Sequence, residues 1–432
     1  MTGPKDSSAT EPEAHAKDSN PIQELEGNSV TAILKPFEKK ALFELKTKLQ
    51  EAIINHSLFA LSHNEISTEK KTQDANGDGR DLKHISIWGV PLLPSKNHEG
   101  TDVVLLKFLR ARDFKVLDAF EMLRRTLIWR KESRIDGILA ENVGSYLDKV
   151  AYMNGTDKEG HPVCYNIYGV FKYKETYSKA FGSEEKCDEF LRWRVQLMEK
   201  GIQELNFRPG GVSTMVQVSD LKHSPGPDMK ELRATLKQVL SVLQDNYPEF
   251  VAKNIFINVP FRSYVYNAMF SRLLTQRAKS KCIFARPSKV QETLLKYIEV
   301  ENLPAKYGGL QRENDDEFSG ENNKVSERAI KGGGTETIEI LLVEAGVTVV
   351  WDMVVVGWEV MYMEEFIPDD DCSYRILIQK ERKMEESVRN SFHITEPGKV
   401  VLTVENKTSK KKRLLYRFKI KPTEIPLYTF FK

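Results

Sequence analysis

Residues 245–285 read DNYPEFVAKNIFINVPFRSYVYNAMFSRLLTQRAKSKCIFA, and three elements are packed into them. Asn254 to Val259 is short, mostly apolar and closed by Pro260, the pattern of a buried strand. From Phe261 to Leu274 the apolar residues Phe261, Tyr264, Val265, Met269 and Leu273 recur at helical spacing. Cys282-Ile283-Phe284 reads as a second buried strand. A lone carboxylate, Glu249, precedes the unit; Arg277, Lys279 and Lys281 follow the helix. An ordinary strand–helix–strand unit with charges at its solvated ends explains this pattern. So does a site for a ligand with an apolar body and a phosphorylated head, and periodicity alone does not choose between them.

The chain has 432 residues, length enough for two or three domains. With 40% hydrophobic and 29% charged residues, it reads as a soluble globular protein with some disordered pieces. The net charge of +2 hides local asymmetry. Residues 1–30 carry two basic and six acidic side chains, and residues 399–421 carry nine basic and one acidic. A basic end of that strength suits an anionic membrane surface or a nucleic acid. Apart from Tyr416 and Phe418 it lacks the stacking aromatics a single strand needs, so no nucleic-acid partner is expected. Cys164, Cys187, Cys282 and Cys372 are widely spaced with no C-x-x-C, which fits a reducing, cytoplasmic compartment. The N-terminus has no apolar run and no stretch reaches 18 uninterrupted apolar residues, so any membrane contact should be peripheral.

Composition divides the chain further. Residues 1–34 are acidic, polar and expected to be disordered. Residues 35–100 hold one helix, with a stripe of Phe37, Ala41, Leu45, Leu49, Ala52 and Ile53, and then a flexible polar stretch. An Asp/Gly loop at Asp74 to Gly79 imitates the start of a calcium loop. It lacks the closing bidentate glutamate, Ile85 standing in that place, so no metal is expected. Residues 101–145 read as helices, the first capped by Thr101 or Asp102, the second opened by an Asp118/Glu121 capping box. Residues 146–311 begin with a hairpin around Asp157 to Gly160. They continue as alternating strands and helices, including a helix capped by Asp188, which predicts a largely parallel sheet. Residues 312–334 are acidic, then glycine-rich, and read as a linker. Residues 335–432 hold β-rich runs of even spacing, Thr337 to Val343, Val347 to Val356, Arg375 to Gln379, Lys399 to Glu405 and Leu414 to Ile420, which predicts a small antiparallel sandwich. Lys410, Lys411, Lys412 and Arg413 fall between its last two runs, where they form either a solvated hairpin turn or a membrane contact.

No phosphate-binding glycine loop, nucleophile elbow or paired-histidine metal motif is present. Ser219, Asp220 and His223 are close in sequence, which is not triad geometry. The chain therefore reads as a binding protein rather than an enzyme.

Two blocks carry a resemblance. LLKFLRARDFKV (105–116) resembles the arginine-bearing helix that opens CRAL-TRIO lipid-transfer domains. DNYPE (245–249), INVP (257–260), LTQRAKSK (274–281) and NLPAKYGG (302–309) resemble that family's core blocks in order. The C-terminal part, with WDMVVVGWEV (351–360), resembles a GOLD domain, and the whole arrangement is similar to the plant patellins. The resemblance implies an α/β CRAL-TRIO lipid-binding domain with an N-terminal helical bundle, followed by an all-β GOLD sandwich. It implies an apolar cavity closed by a gate helix, here Phe261 to Leu274, and no cofactor beyond a bound lipid, a phosphoinositide. The headgroup ligands it implies are Arg112, Glu249 and Lys281, with Lys279 beside them. The family's threonine three residues before Lys281 is Ala278 here, and its phosphatidylcholine-reading hydroxyl pair falls on Met215 and Gln217, so phosphatidylcholine exchange is not expected. Peripheral association with the plasma membrane or cell plate, a role in cell-plate formation, and protein partners for the GOLD domain are implied in the same way. An alternative is a trafficking adaptor in which the lipid pocket is only a sensor.

Overall fold

The structure is a computed structural model that describes residues 34–59, 85–225, 229–259, 279–318 and 324–422. Helix α1 (Pro36–Ile54) starts with proline at its first turn, and Glu38 accepts the backbone N–H of Lys35 at 2.9 Å. Its predicted stripe is buried from Ala41 to Ile53, while Phe37 stays exposed. Helices α2 (Glu99–Ala111) and α3 (Val116–Glu132) complete the bundle.

Their starts differ from the sequence reading. Helix α2 is capped by His98, whose Nδ1 accepts from Gly100 N at 3.1 Å. Asp102 instead pairs with Lys46 of α1 at 2.7 Å, and Thr101 donates to the Pro91 carbonyl. Helix α3 begins before Asp118, and Glu121 pairs with Arg124 and Arg125 within the helix. Between α2 and α3, Asp113 and Phe114 both sit at positive φ and reverse the chain.

A short hairpin of β1 (Ser86–Ile87) and β2 (Val90–Pro91) precedes α2, and the central sheet has the order β3 (Ala151–Thr156), β4 (Pro162–Ile167), β5 (Met215–Asp220), β6 (Val251–Ile257), β7 (Cys282–Phe284). The first pair is the expected antiparallel hairpin, and β4 to β7 are parallel. Parallel neighbours need right-handed crossovers, so successive steps in one direction place their connections on one face. Helices α4 (Lys174–Phe181), α5 (Glu184–Gln203) and α6 (Lys230–Asn246) follow that rule. They pack with Cys164 and Ala151 on what we call the inner face. Helix α5 is capped by Ser183, not Asp188, and so begins a turn earlier than expected. Gly201 lets it approach closely, since a Cβ there would meet Met215 at 3.0 Å. The outer face (Val163, Tyr165, Val218, Ile255 and Ile257) packs with α7 (Val290–Tyr297) and the NLPAKYGG segment.

Two four-stranded antiparallel sheets follow. Their orders are β13-β10-β15-β8 and β12-β11-β14-β9. The strands are β8 (Ser326–Ile330), β9 (Thr335–Leu342), β10 (Val347–Val355), β11 (Met361–Pro368), β12 (Ile376–Lys383), β13 (Val388–Ile394), β14 (Gly398–Glu405) and β15 (Lys412–Pro422). Trp351, Tyr362 and Phe366 fill the space between them. Strands β8, β11 and β13 escaped the sequence reading, because charged and half-buried residues interrupt their apolar alternation. The presumed linker is therefore partly structure: β8 pairs with β15. Strands β14 and β15 lie in different sheets, so Lys410 and Lys411 sit in a crossover and not in a hairpin turn, and Lys412 and Arg413 open β15.

The sandwich is fastened to the α/β unit by charge and packing. Val354 and Leu415 join the outer-face core. Asp352, fully buried, accepts from Arg389 at 2.6 Å and Arg417 at 2.8 Å. Arg417 also donates to the Leu310 carbonyl, and Asp315 accepts from both arginines. Removing the central carboxylate leaves Arg389 and the buried Arg417 to share Asp315 alone. Asp352→Ala should therefore cost about 3–5 kcal/mol of unfolding free energy in urea titrations; a loss under ~1 kcal/mol would class the pairs as surface-like.

Candidate functional site

The site begins at the amino-terminal edge of β6 and β7. The FLRAR helix, α2, presents an apolar face of Leu105, Leu106, Phe108 and Leu109, and Lys107 lies in the middle of it with only 2% of its surface exposed. A buried ammonium needs acceptors. The Lys107 Nζ donates to the Ser213 carbonyl at 2.7 Å and the Glu249 carbonyl at 2.8 Å, and lies 4.3 Å from the Phe250 ring centroid. Burial pulls its pKa down to about 7, against the raising effect of the Glu249 charge.

Glu249 sits at φ +54°, a left-handed conformation unusual for a non-glycine residue. That twist sends its carbonyl to Lys107 and its carboxylate the other way, where Lys281 donates at 2.9 Å. Lys281 also donates to the Val251 carbonyl at 2.8 Å. The pair is part-buried, with side-chain exposures of 16% and 24%. Behind it, Tyr247 and Arg130 both donate to the Glu199 carboxylate at 2.6 Å, tying α3 and α5 to the YPE turn. Trp88 packs against Phe108, Phe207, Tyr247 and Phe250, so the turn rests on an aromatic block.

Of the headgroup residues expected from the sequence, the structure brings Glu249 and Lys281 together. It does not bring Arg112 to them: this guanidinium, at the end of α2, donates to the Ala111 carbonyl at 3.3 Å. The reversal at Asp113 and Phe114 turns the chain away directly after it. Lys107, one turn earlier, takes the place beside Glu249. A lysine inside a run of four apolar helix positions was the signal available for it. Lys279 is half-buried and makes no ion pair among the described residues. Phe261, Tyr264, Val265, Met269 and Leu273, assigned to the gate, lie outside the described residues.

From this edge the inner face of the sheet runs back beneath α5 and α6. Cys164, Asn166, Met215 and Ser219 are buried on it. Towards β7 the cover thins, and Gln217, Asn254 and Phe256 are half-buried while Phe284 is exposed and stacks on Phe256 at 5.1 Å. The expected hydroxyl-free pair, Met215 and Gln217, lies on this floor. Ser219 and Asp220 are neighbours in β5 and so point to opposite faces; Asp220 accepts from Asn258 and Tyr307 on the outer side. Asp157, Glu159 and His161 are close enough to resemble a cation site. Their oxygens are already used: Asp157 takes two backbone N–H groups and the His161 ring, and Glu159 takes Lys253 at 2.9 Å.

The basic end differs from its composition. Six of the nine cations in residues 399–421 have a carboxylate within 4 Å: Lys399, Lys407, Lys412, Arg413, Arg417 and Lys421. Lys412 is buried and donates to the Trp358 carbonyl at 2.6 Å, and Arg413 pairs with Glu327. Of the four residues assigned to membrane contact, Lys410 and Lys411 remain exposed without a carboxylate. No helix among the described residues is long and apolar enough to cross a membrane.

Known proteins match in three blocks. Residues 41–125 match the CRAL/TRIO N-terminal domain, 148–309 the CRAL/TRIO domain, and 331–412 the Patellin-1-like, C-terminal GOLD domain. Patellin-4 of Arabidopsis thaliana is 55% identical over 78% of this chain and 62% of its own length. Patellin-3 of the same plant is 47% identical over 92% of this chain and 77% of its own length. A phosphatidylinositol transfer protein of Meyerozyma guilliermondii is 29% identical over 42% of this chain and 57% of its own length. This chain thus spans less than two thirds of the Patellin-4 length.

The depressed Lys107 pKa has a stability consequence. Between about pH 7 and its unfolded value near 10.4, the unfolded chain holds the proton that the folded one has lost, so stability rises with pH. Denaturant midpoints at pH 7 and pH 9.5 should show wild type gaining on Lys107→Met; parallel curves for the two would mean that the ammonium stays protonated in the fold.

Proposed function

The chain belongs to the patellin family, and on that premise we propose that it binds one phosphoinositide, tail inward, over the inner face of its central sheet and carries it between membranes it touches peripherally. Support comes from the arrangement of charge against apolar surface. A part-buried Glu249–Lys281 pair stands at one end of a floor with a stacked, half-open aromatic pair, Phe256 and Phe284. The transfer activity named for the fungal relative concurs.

The energetics make such exchange workable. Two acyl chains of about 30 methylenes gain ~25 kcal/mol on leaving water, at ~0.8 kcal/mol each. A protein interior that matches the bilayer in that term makes uptake and release nearly isoenergetic. The headgroup then decides which lipid is held. Lys281 meets the phosphodiester, and the Glu249 carboxylate accepts inositol hydroxyls while keeping the ammonium charged. The destination we propose is the plasma membrane or the cell plate of dividing cells.

A second reading, a trafficking adaptor, draws on the sandwich, where Leu341, Val343 and Leu377 are exposed. It puts recruitment in residues 335–432 and leaves the lipid as a signal.

The two separate in one assay. Wild-type protein should extract phosphoinositide from mixed liposomes, and Lys281→Ala should extract roughly tenfold less, ~1.4 kcal/mol, with unchanged circular dichroism. Full extraction by Lys281→Ala would reduce the pair to an internal brace. Absence of any extraction by wild type would favour the adaptor.

A further inference from the structure

Apart from the lipid site, and under either reading of it, we propose that one corner of the sandwich, centred on Tyr374, docks a segment of a partner protein that carries arginines together with apolar side chains.

The corner is apolar where a water-facing sheet is usually polar. The sheet β13-β10-β15-β8 sets Val354 and Leu415 against the α/β unit, so the sheet β12-β11-β14-β9 is the one turned away from it. Along that second sheet Ile338, Ile340, Val400, Leu402 and Phe366 face the sandwich core, and the residues between them face out. Leu341 is one of the outward residues. The register sets it in one row with Lys399 and Ile367, and Leu377 lies one outward row on, opposite Glu365. Leu341, Leu377 and Val343, which stands just past the end of β9, are all exposed.

Tyr374 completes the patch from the loop 369–375 between β11 and β12. It stands at the same end of the sheet, since Ile376, two residues on, is opposite Phe366. Its side chain is 90% exposed, yet its loop is pinned. Asp369 N donates to the Pro397 carbonyl at 3.0 Å, Ser373 Oγ to Glu396 Oε2 at 2.6 Å, and Cys372 N to Asp370 Oδ1 at 2.9 Å. An aromatic ring on an ordered loop, left in water, has contact area to give at little entropic cost, as interface anchors do.

The rim decides the charge of the partner. Asp369, Asp370 and Asp371 precede Tyr374, Glu396 lies in the loop bonded to them, and Glu344 follows Val343. Of the cations at that end, Lys399 is committed to Glu339 at 2.8 Å and Lys421 to Glu317, which leaves Arg375 against five carboxylates. Acids beside an exposed tyrosine suit a guanidinium, which pairs with carboxylate through two parallel hydrogen bonds and stacks on an aromatic face. The same charge turns away an anionic membrane surface.

Fluorescence anisotropy on the full chain tests this with three labelled octapeptides: arginine–leucine, its citrulline–leucine isostere, and arginine–serine. The first should bind, and the others at least tenfold more weakly, one lacking the charge and the other the apolar side chains. Tyr374→Ala and the pair Asp369→Asn/Asp371→Asn change exposed side chains, so circular dichroism should stay the same while each weakens the arginine–leucine peptide at least fivefold. Tyr374→Phe should keep most of the binding. Phosphoinositide extraction should be equal in all variants, so failure of the docking corner and failure of the lipid reading are told apart. No binding by wild type, or binding that survives both Tyr374→Ala and the aspartate pair, would overturn the proposal. Equal binding of the citrulline peptide would overturn the arginine assignment. A dimer that the peptide dissociates would give the corner to a second copy of this chain. Phosphatidylserine vesicles that bind wild type and not Tyr374→Ala would give it to a membrane, and either result overturns the partner named here.

Discussion

A single ammonium group organises the α/β unit. Lys107 lies where water cannot reach it, and it is satisfied by two backbone carbonyls that belong to two different strand entries, Ser213 before β5 and Glu249 before β6. That geometry fixes α2 against the sheet edge and holds the Glu249 backbone in its left-handed turn. With the carbonyl committed to Lys107, the Glu249 carboxylate lies on the other side of the residue, where Lys281 donates to it. The Glu249–Lys281 pair thus follows from a contact made on the far side of the same residue. The aromatic block of Trp88, Phe108, Tyr247 and Phe250 excludes water from around it, which strengthens each of these contacts and lowers the Lys107 pKa.

Much of this architecture was legible before any coordinates. The hairpin at Asp157, the parallel order from β4 to β7 and the change to a sandwich all follow from hydrophobic period and turn residues. Helix starts were less legible, because several residues could cap and the choice fell on tertiary grounds. Asp102 was drawn to Lys46 on a neighbouring helix, and His98 took its place. Strands β8, β11 and β13 were hidden because β8 is exposed except at Ile330, while β11 and β13 set the polar residues Glu364 and Asn390 among their inward positions, so alternation was broken. In the site, Glu249 and Lys281 were readable from the family blocks. For Arg112, a motif gives position along a helix and not the direction in which the chain turns afterwards, and its guanidinium donates to the Ala111 carbonyl. Lys107 is a polar residue in apolar company, and its meaning depends on partners far off in sequence.

Charge counting shows the same limit. Nine cations in 23 residues suggest a strong basic surface. In the fold, Arg417 is sealed into the Asp352 junction, Lys412 caps a turn of carbonyls at Trp358, Lys399 and Arg413 face acids across strands, Lys407 pairs with Glu405 just before it, and Lys421 pairs with Glu317 ahead of β8. The crossover from β14 to β15 is what brings these residues near acids from elsewhere in the chain. Composition reports how many charges a segment has, and pairing decides how many remain for a partner.

That difference bears on how the protein meets a membrane. Each lysine near an anionic leaflet contributes about 1 kcal/mol. Nine free cations would give roughly 9 kcal/mol, a lasting attachment. Lys410, Lys411 and Lys419, the three without a carboxylate within 4 Å among the described residues, would give about 3 kcal/mol, a roughly 150-fold enrichment. Of the salt bridges that neutralise the basic end, those of Arg417 and Lys421 reach Asp315 and Glu317 ahead of the sandwich, while those of Lys399, Lys407, Lys412 and Arg413 stay within it.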